Sequence, residues 1–212
     1  MKDGIHIYPS YAGLDGIDGL ASGLSLVALI AYLILFSTLG VVSYPVFAAA
    51  LIGAVVVFMY YNLFGNIEKG TKTFMGDTGS LILGYALAYL SIKYAMYNPN
   101  VLPDRPYALI MAFTFLIIPV FDLTRVAFTR LLSKKSIFHP DKTHIHHLCM
   151  QTGLSMRWTL VIILCLQVLF VLVNYVFIKF CIPSTLILLI DIIIFATFII
   201  VVKKNSKLES IK

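Results

Sequence analysis

Four short polar segments hold the residues of this chain that could take part in chemistry. The first begins at Asp15 and reads Asp-Gly-Ile-Asp-Gly-Leu, so that Asp15 and Asp18 lie three residues apart. In a helical conformation this spacing places both carboxylates on one face. A glycine follows each aspartate and lets the backbone turn tightly or approach a ligand closely. The pair is therefore a candidate site for a cation or a polar substrate.

The second segment, Phe74 to Ser80, contains Asp77 and Thr78 at the point where an apolar stretch begins. One interpretation is a helix N-cap, which usually stabilises a helix by about 1 kcal/mol. The other is a ligand site, because the free N–H groups of a helix N-terminus attract phosphate and a carboxylate beside them can bind Mg²⁺. The sequence leaves both interpretations open.

The third segment, Pro119 to Arg125, places Asp122 near the end of another apolar stretch. Asp122 and Arg125 are three residues apart and could neutralise each other. Ionisable groups at membrane depth are expensive, however, and are functional candidates by default. Asp122 is therefore kept as a candidate binding residue.

The fourth segment, Phe138 to His147, is a loop that contains four of the five histidines together with Lys142. A tetrahedral Zn²⁺ site is disfavoured, because no cysteine or carboxylate completes a familiar ligand pattern. A contact to phosphate or sugar fits better, since Lys142 and the imidazoles form a donor-rich surface. A solvated polar loop is the alternative.

The elements that position these segments are predicted to be membrane-spanning helices. The chain is 60% hydrophobic and only 12% charged, with a mean hydropathy of +0.94. About 20 mostly apolar residues are needed for one helix to cross a bilayer. Six stretches of this kind lie at 21–42, 45–63, 79–97, 107–128, 158–178 and 183–202. The predicted fold is an all-α polytopic membrane helix bundle of about six transmembrane helices.

Basic residues fix the predicted orientation. Of the 16 Lys and Arg residues, all but Lys93, Arg105 and Lys179 fall on one side of the six stretches. Because short cytoplasmic loops are enriched in Lys and Arg, that side is predicted to be the cytoplasm, with both termini on it. The four polar segments return to this face. Asp191, inside the last stretch, is the exception and is predicted to form an interhelical hydrogen bond without a role in the site.

The chain is predicted to be a single membrane domain over 1–212. Its divisions are an acidic motif at 1–20, four spans within 21–128, a cytoplasmic histidine-rich loop at 129–157, two spans within 158–202 and a basic tail at 203–212. The three cysteines are read as packing residues without a disulfide framework. Carboxylates facing a basic, donor-rich loop are the parts needed to bind Mg²⁺ and a diphosphate and to stabilise phosphoryl transfer.

These segments, in this order and between these spans, resemble those of the polyprenyl-phosphate N-acetylhexosamine-1-phosphate transferases of glycosyltransferase family 4. Members of that family are bacterial membrane enzymes that load the first sugar phosphate onto undecaprenyl phosphate. The resemblance is carried by Asp15 to Ala21, Phe74 to Ser80, Pro119 to Asp122 and Pro140 to His147. The His-x-His-His form is similar to the branch that uses UDP-N-acetylglucosamine or a related UDP-sugar. The resemblance is to the C-terminal portion of the family's sequences. The paired-Asp motif of their N-terminal half is not found in this chain.

The resemblance implies an activity and a site. The chain would transfer N-acetylhexosamine-1-phosphate from a UDP-sugar to undecaprenyl phosphate, release UMP and so initiate a cell-surface polysaccharide. Asp15, Asp18 and Asp77 would be catalytic, with Asp77 as the ligand of Mg²⁺ or, alternatively, Mn²⁺. The implied substrate-binding residues are Asp122, Lys142, His144, His146 and His147. The expected location is the bacterial plasma (inner) membrane with a cytoplasmic active face. The expected partners are both substrates and membrane lipid, with no nucleic acid and with a homodimer as an option.

Two other hypotheses compete with this one. The chain could be an inactive or truncated remnant of such a transferase, since the paired-Asp half is missing. It could also be an ion-coupled transporter that uses Asp122 and Asp191 as relays. A transporter predicts acids near the bilayer midplane and broken helices in repeated halves, whereas most acids here lie at span ends and no repeat is visible.

Overall fold

The computed structural model describes residues 17–98, 104–134 and 143–209, so that Asp15 and Lys142, two predicted site residues, lie outside the described ranges. The chain is all-α, as predicted, and the described ranges contain no strand. The helices are α1 (Leu20–Thr38), α2 (Ser43–Phe64), α3 (Gly76–Ala95), α4 (Ala108–Thr114), α5 (Ile117–Leu132), α6 (Ile145–Met150), α7 (Met156–Lys179) and α8 (Ser184–Glu209).

Helices occupy all six predicted stretches, but they do not qualify equally as membrane spans. Four of them, α1, α2, α7 and the Ser184–Ser206 part of α8, are long and apolar enough to cross a bilayer, and α4 with α5 makes a fifth if the bent pair is one span. Helix α3 has 20 residues but does not reach the same apolarity. The described part of the chain therefore supports four to five spans, and the predicted count of six is not confirmed.

The stretch 107–128, predicted to be one span, is divided into two helices in the structure. Helices α4 and α5 meet at an angle of 75°. Proline in a helix clashes with the carbonyl group four residues earlier and has no N–H to donate. For Pro119 that carbonyl belongs to Phe115, which lies in the break between the two helices. The local sequence therefore accounts for the position of the bend.

Polar side chains inside the bundle satisfy the backbone that this break exposes. The Gln167 side chain of α7 donates to the carbonyl oxygens of Thr114 and Phe115, at 2.9 and 3.2 Å. Its Oε1 accepts from the Ile118 backbone N–H at 3.4 Å. Unpaired backbone groups are costly in an apolar medium, so Gln167 stabilises the bend directly.

A second interhelical contact lies deeper in the bundle. Asn174 of α7 donates from Nδ2 to Thr114 Oγ1 and to Asp191 Oδ2 of α8, both at 2.8 Å. The predicted interhelical hydrogen bond of Asp191 is confirmed. The three cysteines are free, as expected.

Two apolar clusters pack the bundle, one toward each end of α1. The first joins the later part of α1 to α2, α3 and α4, and includes Tyr32, Phe36 and Phe115. The second joins the beginning of α1 to α5, α6, α7 and α8, and includes Ile17 and Ile145. It brings the segments of Asp18, Asp122 and the histidines to the same end of the bundle. Gathering of the polar segments at one end is thus confirmed for these residues.

Candidate functional site

Asp122 on α5 is the centre of the best-connected polar group at this end of the bundle. Its Oδ1 accepts hydrogen bonds from Arg125 Nη2 at 2.6 Å and from the Ile145 backbone N–H at 3.0 Å. Its Oδ2 accepts from His144 Nδ1 at 2.9 Å. Arg125 also donates to the Thr143 carbonyl oxygen at 2.5 Å. The predicted Asp122–Arg125 neutralisation is confirmed, and the same carboxylate fastens α5 to the histidine segment.

This arrangement favours a positioning role for Asp122. The residue is buried, and its two oxygens are already occupied by three protein donors. A carboxylate can only accept hydrogen bonds, so Nδ1 of His144 carries the proton in this pair and Nε2 is left to face other groups. Asp122 thereby sets both the tautomer and the orientation of the His144 ring.

The three histidine rings lie side by side. His144 and His146 are parallel, with ring centroids 5.9 Å apart and 4° between their planes. The His146 and His147 centroids are 4.2 Å apart. His146 is 6% exposed, and its Nε2 has no hydrogen-bond partner in the described structure. Burial, followed by the neighbouring imidazoles, lowers the pKa of His146 to about 4. This ring is neutral at physiological pH and can donate one N–H.

An apolar cavity begins at these rings. A space of about 270 Å³ is bordered by Asp122, His144 and His146 on one side and by α1 and α7 on the other. A second space of about 510 Å³ extends between α1, α3 and α5, and Ser25 and Ser80 are among its few polar lining residues. The two spaces share the wall residues Ala21, Leu24, Pro119 and Leu123. The two spaces are therefore neighbours, the smaller with a polar end at the histidines and the larger mainly apolar.

Asp18 lies in a separate polar group that links the first two segments. Lys72 Nζ donates to Asp18 Oδ2 and to the Asn62 carbonyl oxygen, both at 2.5 Å. The Asn62 side chain accepts from the Gly19 N–H at 2.7 Å and donates to the Thr73 carbonyl oxygen at 2.8 Å. The Asn62 side chain therefore holds the turn at Asp18 and Gly19 against the loop segment that leads to Asp77. Gly19 occupies this turn with a φ of +80°, a conformation that glycine adopts without strain.

Asp77 lies in the first turn of α3 and is exposed. The residue before the helix is Met75, and no side chain caps this end. The N-cap interpretation of Asp77 and Thr78 is therefore wrong. The Asp77 carboxylate makes no hydrogen bond or ion pair with the described residues, which leaves it available to a ligand.

The described residues do not by themselves complete a metal site. No group of three or more His, Cys, Asp or Glu side chains that could hold a metal occurs in the described ranges. Asp18 is paired with Lys72, and Asp15 lies outside those ranges. Of the predicted site residues, the structure joins Asp122 to His144 and to its neighbours His146 and His147. Asp18 is bonded to Lys72 instead.

Sequence reasoning missed Asn62 and Lys72. The signal for Asn62 was present, because it is a lone amide inside the apolar stretch 45–63. In the structure its side chain is buried. Polar residues in such stretches usually have a partner in the bundle. Lys72 gave no comparable signal, since a loop lysine is already explained by membrane orientation.

Comparison with known proteins shows what the first part of the chain is similar to. The sequence model described as "Glycosyl transferase family 4" matches residues 11–95. This range holds the Asp18, Asn62 and Lys72 group as well as Asp77. The predicted resemblance to family 4 is confirmed.

Curated proteins match a longer part of the chain. A "Probable undecaprenyl-phosphate N-acetylglucosaminyl 1-phosphate transferase" from Bacillus subtilis is 36% identical over 150 residues, which are 71% of this chain and 39% of that protein. An "Undecaprenyl-phosphate alpha-N-acetylglucosaminyl 1-phosphate transferase" from Yersinia pestis is 34% identical over 150 residues, covering 71% of this chain and 40% of that protein. The Escherichia coli K12 protein of the same name is 32% identical, covering 71% and 39%. The matched segment thus spans about two fifths of these relatives. No solved structure matches the chain.

Proposed function

We propose that this chain is the part of a family 4 transferase that holds the polyprenyl phosphate and the sugar diphosphate at the cytoplasmic face of a bacterial inner membrane. The reaction is transfer of N-acetylhexosamine-1-phosphate from a UDP-sugar to undecaprenyl phosphate, which would initiate a cell-surface polysaccharide. The observation that carries the proposal is the Asp122–His144–His146 group at the polar end of the apolar pocket. The names of the relatives support the substrate class.

The shape of the pocket suits a lipid phosphate. The space between α1, α3 and α5 is lined mainly by apolar side chains and would take the first part of a prenyl chain. The histidines lie where the phosphate of that lipid would be. Neutral His146 can donate an N–H to a phosphate oxygen. His144, whose Nδ1 is held by Asp122, would donate to the phosphate from Nε2 in its doubly protonated form.

The chemical step is a displacement at phosphorus. An oxygen of the lipid phosphate attacks the β-phosphorus of the UDP-sugar, and the bond from that phosphorus to the bridging oxygen breaks. UMP leaves with the bridging oxygen, and the lipid then carries a diphosphate linked to the sugar. Hydrogen-bond donors that are fixed before the reaction stabilise the charge that develops on the phosphoryl oxygens. Lys142 belongs to this proposal as an additional cation.

Mg²⁺, with Mn²⁺ as an alternative, is part of the proposal. The exposed Asp77 carboxylate at the beginning of α3 supports it, because Mg²⁺ prefers one or two carboxylates together with substrate phosphates. The described residues supply Asp77 alone for this purpose, so further carboxylates, Asp15 among them, would have to complete the site. The ion would neutralise the diphosphate of the donor sugar.

The remnant hypothesis is the second candidate, since the matched segment covers only about two fifths of the relatives. The transporter hypothesis loses support. It predicted broken helices in repeated halves, but among the described residues α4 and α5 are the single bent pair.

The test is UMP release from UDP-N-acetylglucosamine by membranes that contain this chain, with undecaprenyl phosphate and Mg²⁺ supplied. The chain is expressed alone and together with the product of the reading frame directly upstream. Asp77→Asn and His146→Phe should each lower the rate by about 100-fold or more. Asp104→Asn, which changes an exposed carboxylate before α4, should leave it unchanged. Absence of both UMP release and Mg²⁺-dependent UDP-sugar binding in both preparations would favour the remnant.

A further inference from the structure

The interior of the bundle contains a carboxyl–amide contact with two oxygen atoms that lack donors. Asp191 of α8 and Asn174 of α7 are both fully buried. One hydrogen bond joins them, from Asn174 Nδ2 to Asp191 Oδ2 at 2.8 Å. The other two oxygens of the contact, Asp191 Oδ1 and Asn174 Oδ1, have no hydrogen-bond partner in the described structure.

An ionised carboxylate fits this environment poorly. Asp191 has no ion-pair partner among the described residues. The groups that face it are Asn174 from α7 and, behind that side chain, Thr114 from α4, neither of which carries a charge. A charge buried without a counter-charge costs far more than a neutral group that is hydrogen-bonded. A carboxylate in this place would also supply no donor to Asn174 Oδ1, which has no other hydrogen-bond partner in the described structure.

We propose that Asp191 and Asn174 form a proton-binding site in the bundle interior, in which Asp191 holds a proton on Oδ1 and donates it to Asn174 Oδ1. One proton then satisfies both unpaired oxygens. The two side chains are joined by two antiparallel hydrogen bonds, Nδ2–H to Oδ2 and Oδ1–H to Oδ1. This inference does not depend on the proposed function.

The proposed proton on Asp191 can stabilise the bend between α4 and α5. Asn174 also donates to Thr114 Oγ1, and Thr114 is the last residue of α4. Beyond the break, α5 carries the Asp122 carboxylate that orients His144. A protonated Asp191 keeps Asn174 in the orientation that reaches Thr114. The acid–amide pair therefore connects α8 and α7 to the element that positions the candidate site.

The first test is infrared absorption of the full chain in lipid. The carbonyl band of a protonated carboxylic acid should be present at pH 7 and persist at pH 9, and Asp191→Asn should abolish it. Asp104→Asn, which changes an exposed aspartate, should leave the band unchanged. Labelling the aspartate carboxyl groups with ¹³C should shift the band in the unsubstituted chain. This shift assigns the band to an aspartate even if the Asp191→Asn variant does not fold. Lack of an aspartate-derived acid band at pH 7 would overturn the proposal.

The second test is thermal unfolding in detergent. Asp191→Asn should keep its Tm close to that of the unsubstituted chain, because a second amide can form the same two hydrogen bonds. Asp191→Leu, similar in size but without donors or acceptors, should lower Tm by on the order of 5 °C. An equal loss in both variants would contradict a neutral acid. A rise in Tm with Na⁺ or K⁺ that Asp191→Asn abolishes would do so too, since it would indicate a bound metal ion in place of the proton.

Discussion

His144 and His146 are two residues apart, but their surroundings give them different properties. His144 donates from Nδ1 to the buried Asp122 carboxylate. His146 has no such partner and is buried among apolar side chains and other imidazoles. Cys149 follows on the same helix, and burial raises the pKa of its thiol to about 11. The thiol therefore stays protonated, in agreement with its predicted role in packing.

The depressed pKa of His146 predicts how stability changes with pH. In the unfolded chain this imidazole takes up a proton near its ordinary pKa of 6.5, whereas in the folded chain it does so only near 4. Between these values the unfolded state binds more protons, so stability falls as the pH is lowered from 6.5 to 4 and levels off below that. In His146→Gln the titrating group is absent, and Tm measured between pH 7 and pH 4 should fall less steeply.

His147→Gln is the matched control for this measurement. It removes a partly buried imidazole from the same helix, and most of the pH dependence of the unsubstituted chain should remain. An equal slope in the unsubstituted chain and in His146→Gln would show that His146 is not the group responsible.

The sequence predicted which single residues belong to the candidate site where a polar residue stood among apolar ones. Asp122 and the histidines are polar groups between apolar stretches, and the structure joins them. Their partners were less visible, because the contact of Asp122 with Ile145 is made by a backbone N–H that any residue could supply. Lys72 reaches Asp18 across 54 positions of the chain. Sequence spacing alone does not encode such a distant pairing.

At the scale of the elements, hydropathy located the helices but did not detect the bend. A window over 107–128 averages the apolar residues on both sides of the break and reads as one span. The local signal was Pro119, because its ring would clash with the carbonyl group of Phe115 in a regular helix. The compensating residue, Gln167, lies 48 positions after Pro119 on another helix, so no local pattern could connect the two.

Gln167→Leu should therefore destabilise the bend between α4 and α5. The substitution keeps the approximate size of the side chain but leaves the carbonyl oxygens of Thr114 and Phe115 without their donor. Interhelical hydrogen bonds in membranes contribute about 1 kcal/mol each, so a loss of roughly 1–3 kcal/mol in the free energy of unfolding is expected. Denaturant titration of the detergent-solubilised chain measures this loss.

Val168→Leu is the control on the same helix, since Val168 is exposed on the outer face of the bundle. Its effect should stay within about 0.5 kcal/mol. If Gln167→Leu is no more destabilising than this control, the hydrogen bonds of Gln167 do not hold the break.

At the scale of the whole molecule, the arrangement of the helices makes the two ends of the bundle chemically different. One end carries Asp18, Lys72, Asp77 and the Asp122–histidine group. The opposite end is formed by the turns between α1 and α2 and between α7 and α8, and its cluster is aromatic, with Tyr32, Phe36 and Tyr94 among its members. The orientation of these ends relative to the cell is a prediction that rests on loop charge alone.

A native cysteine can test that orientation. Cys181 lies in the turn between α7 and α8 and is exposed. With both termini in the cytoplasm this turn faces outward, so a membrane-impermeant maleimide should label Cys181 in intact cells, and Cys181→Ser should remove the label.

The opposite face provides the matched control. Glu68 is exposed in the loop between α2 and α3, which the same orientation places in the cytoplasm. In the Cys181→Ser background, Glu68→Cys should react with the reagent only after the cells are permeabilised. The reverse pattern, with Glu68→Cys labelled in intact cells and Cys181 protected, would place the candidate site outside the cell. UDP-sugars are made in the cytoplasm, so that result would also exclude the proposed reaction at this face.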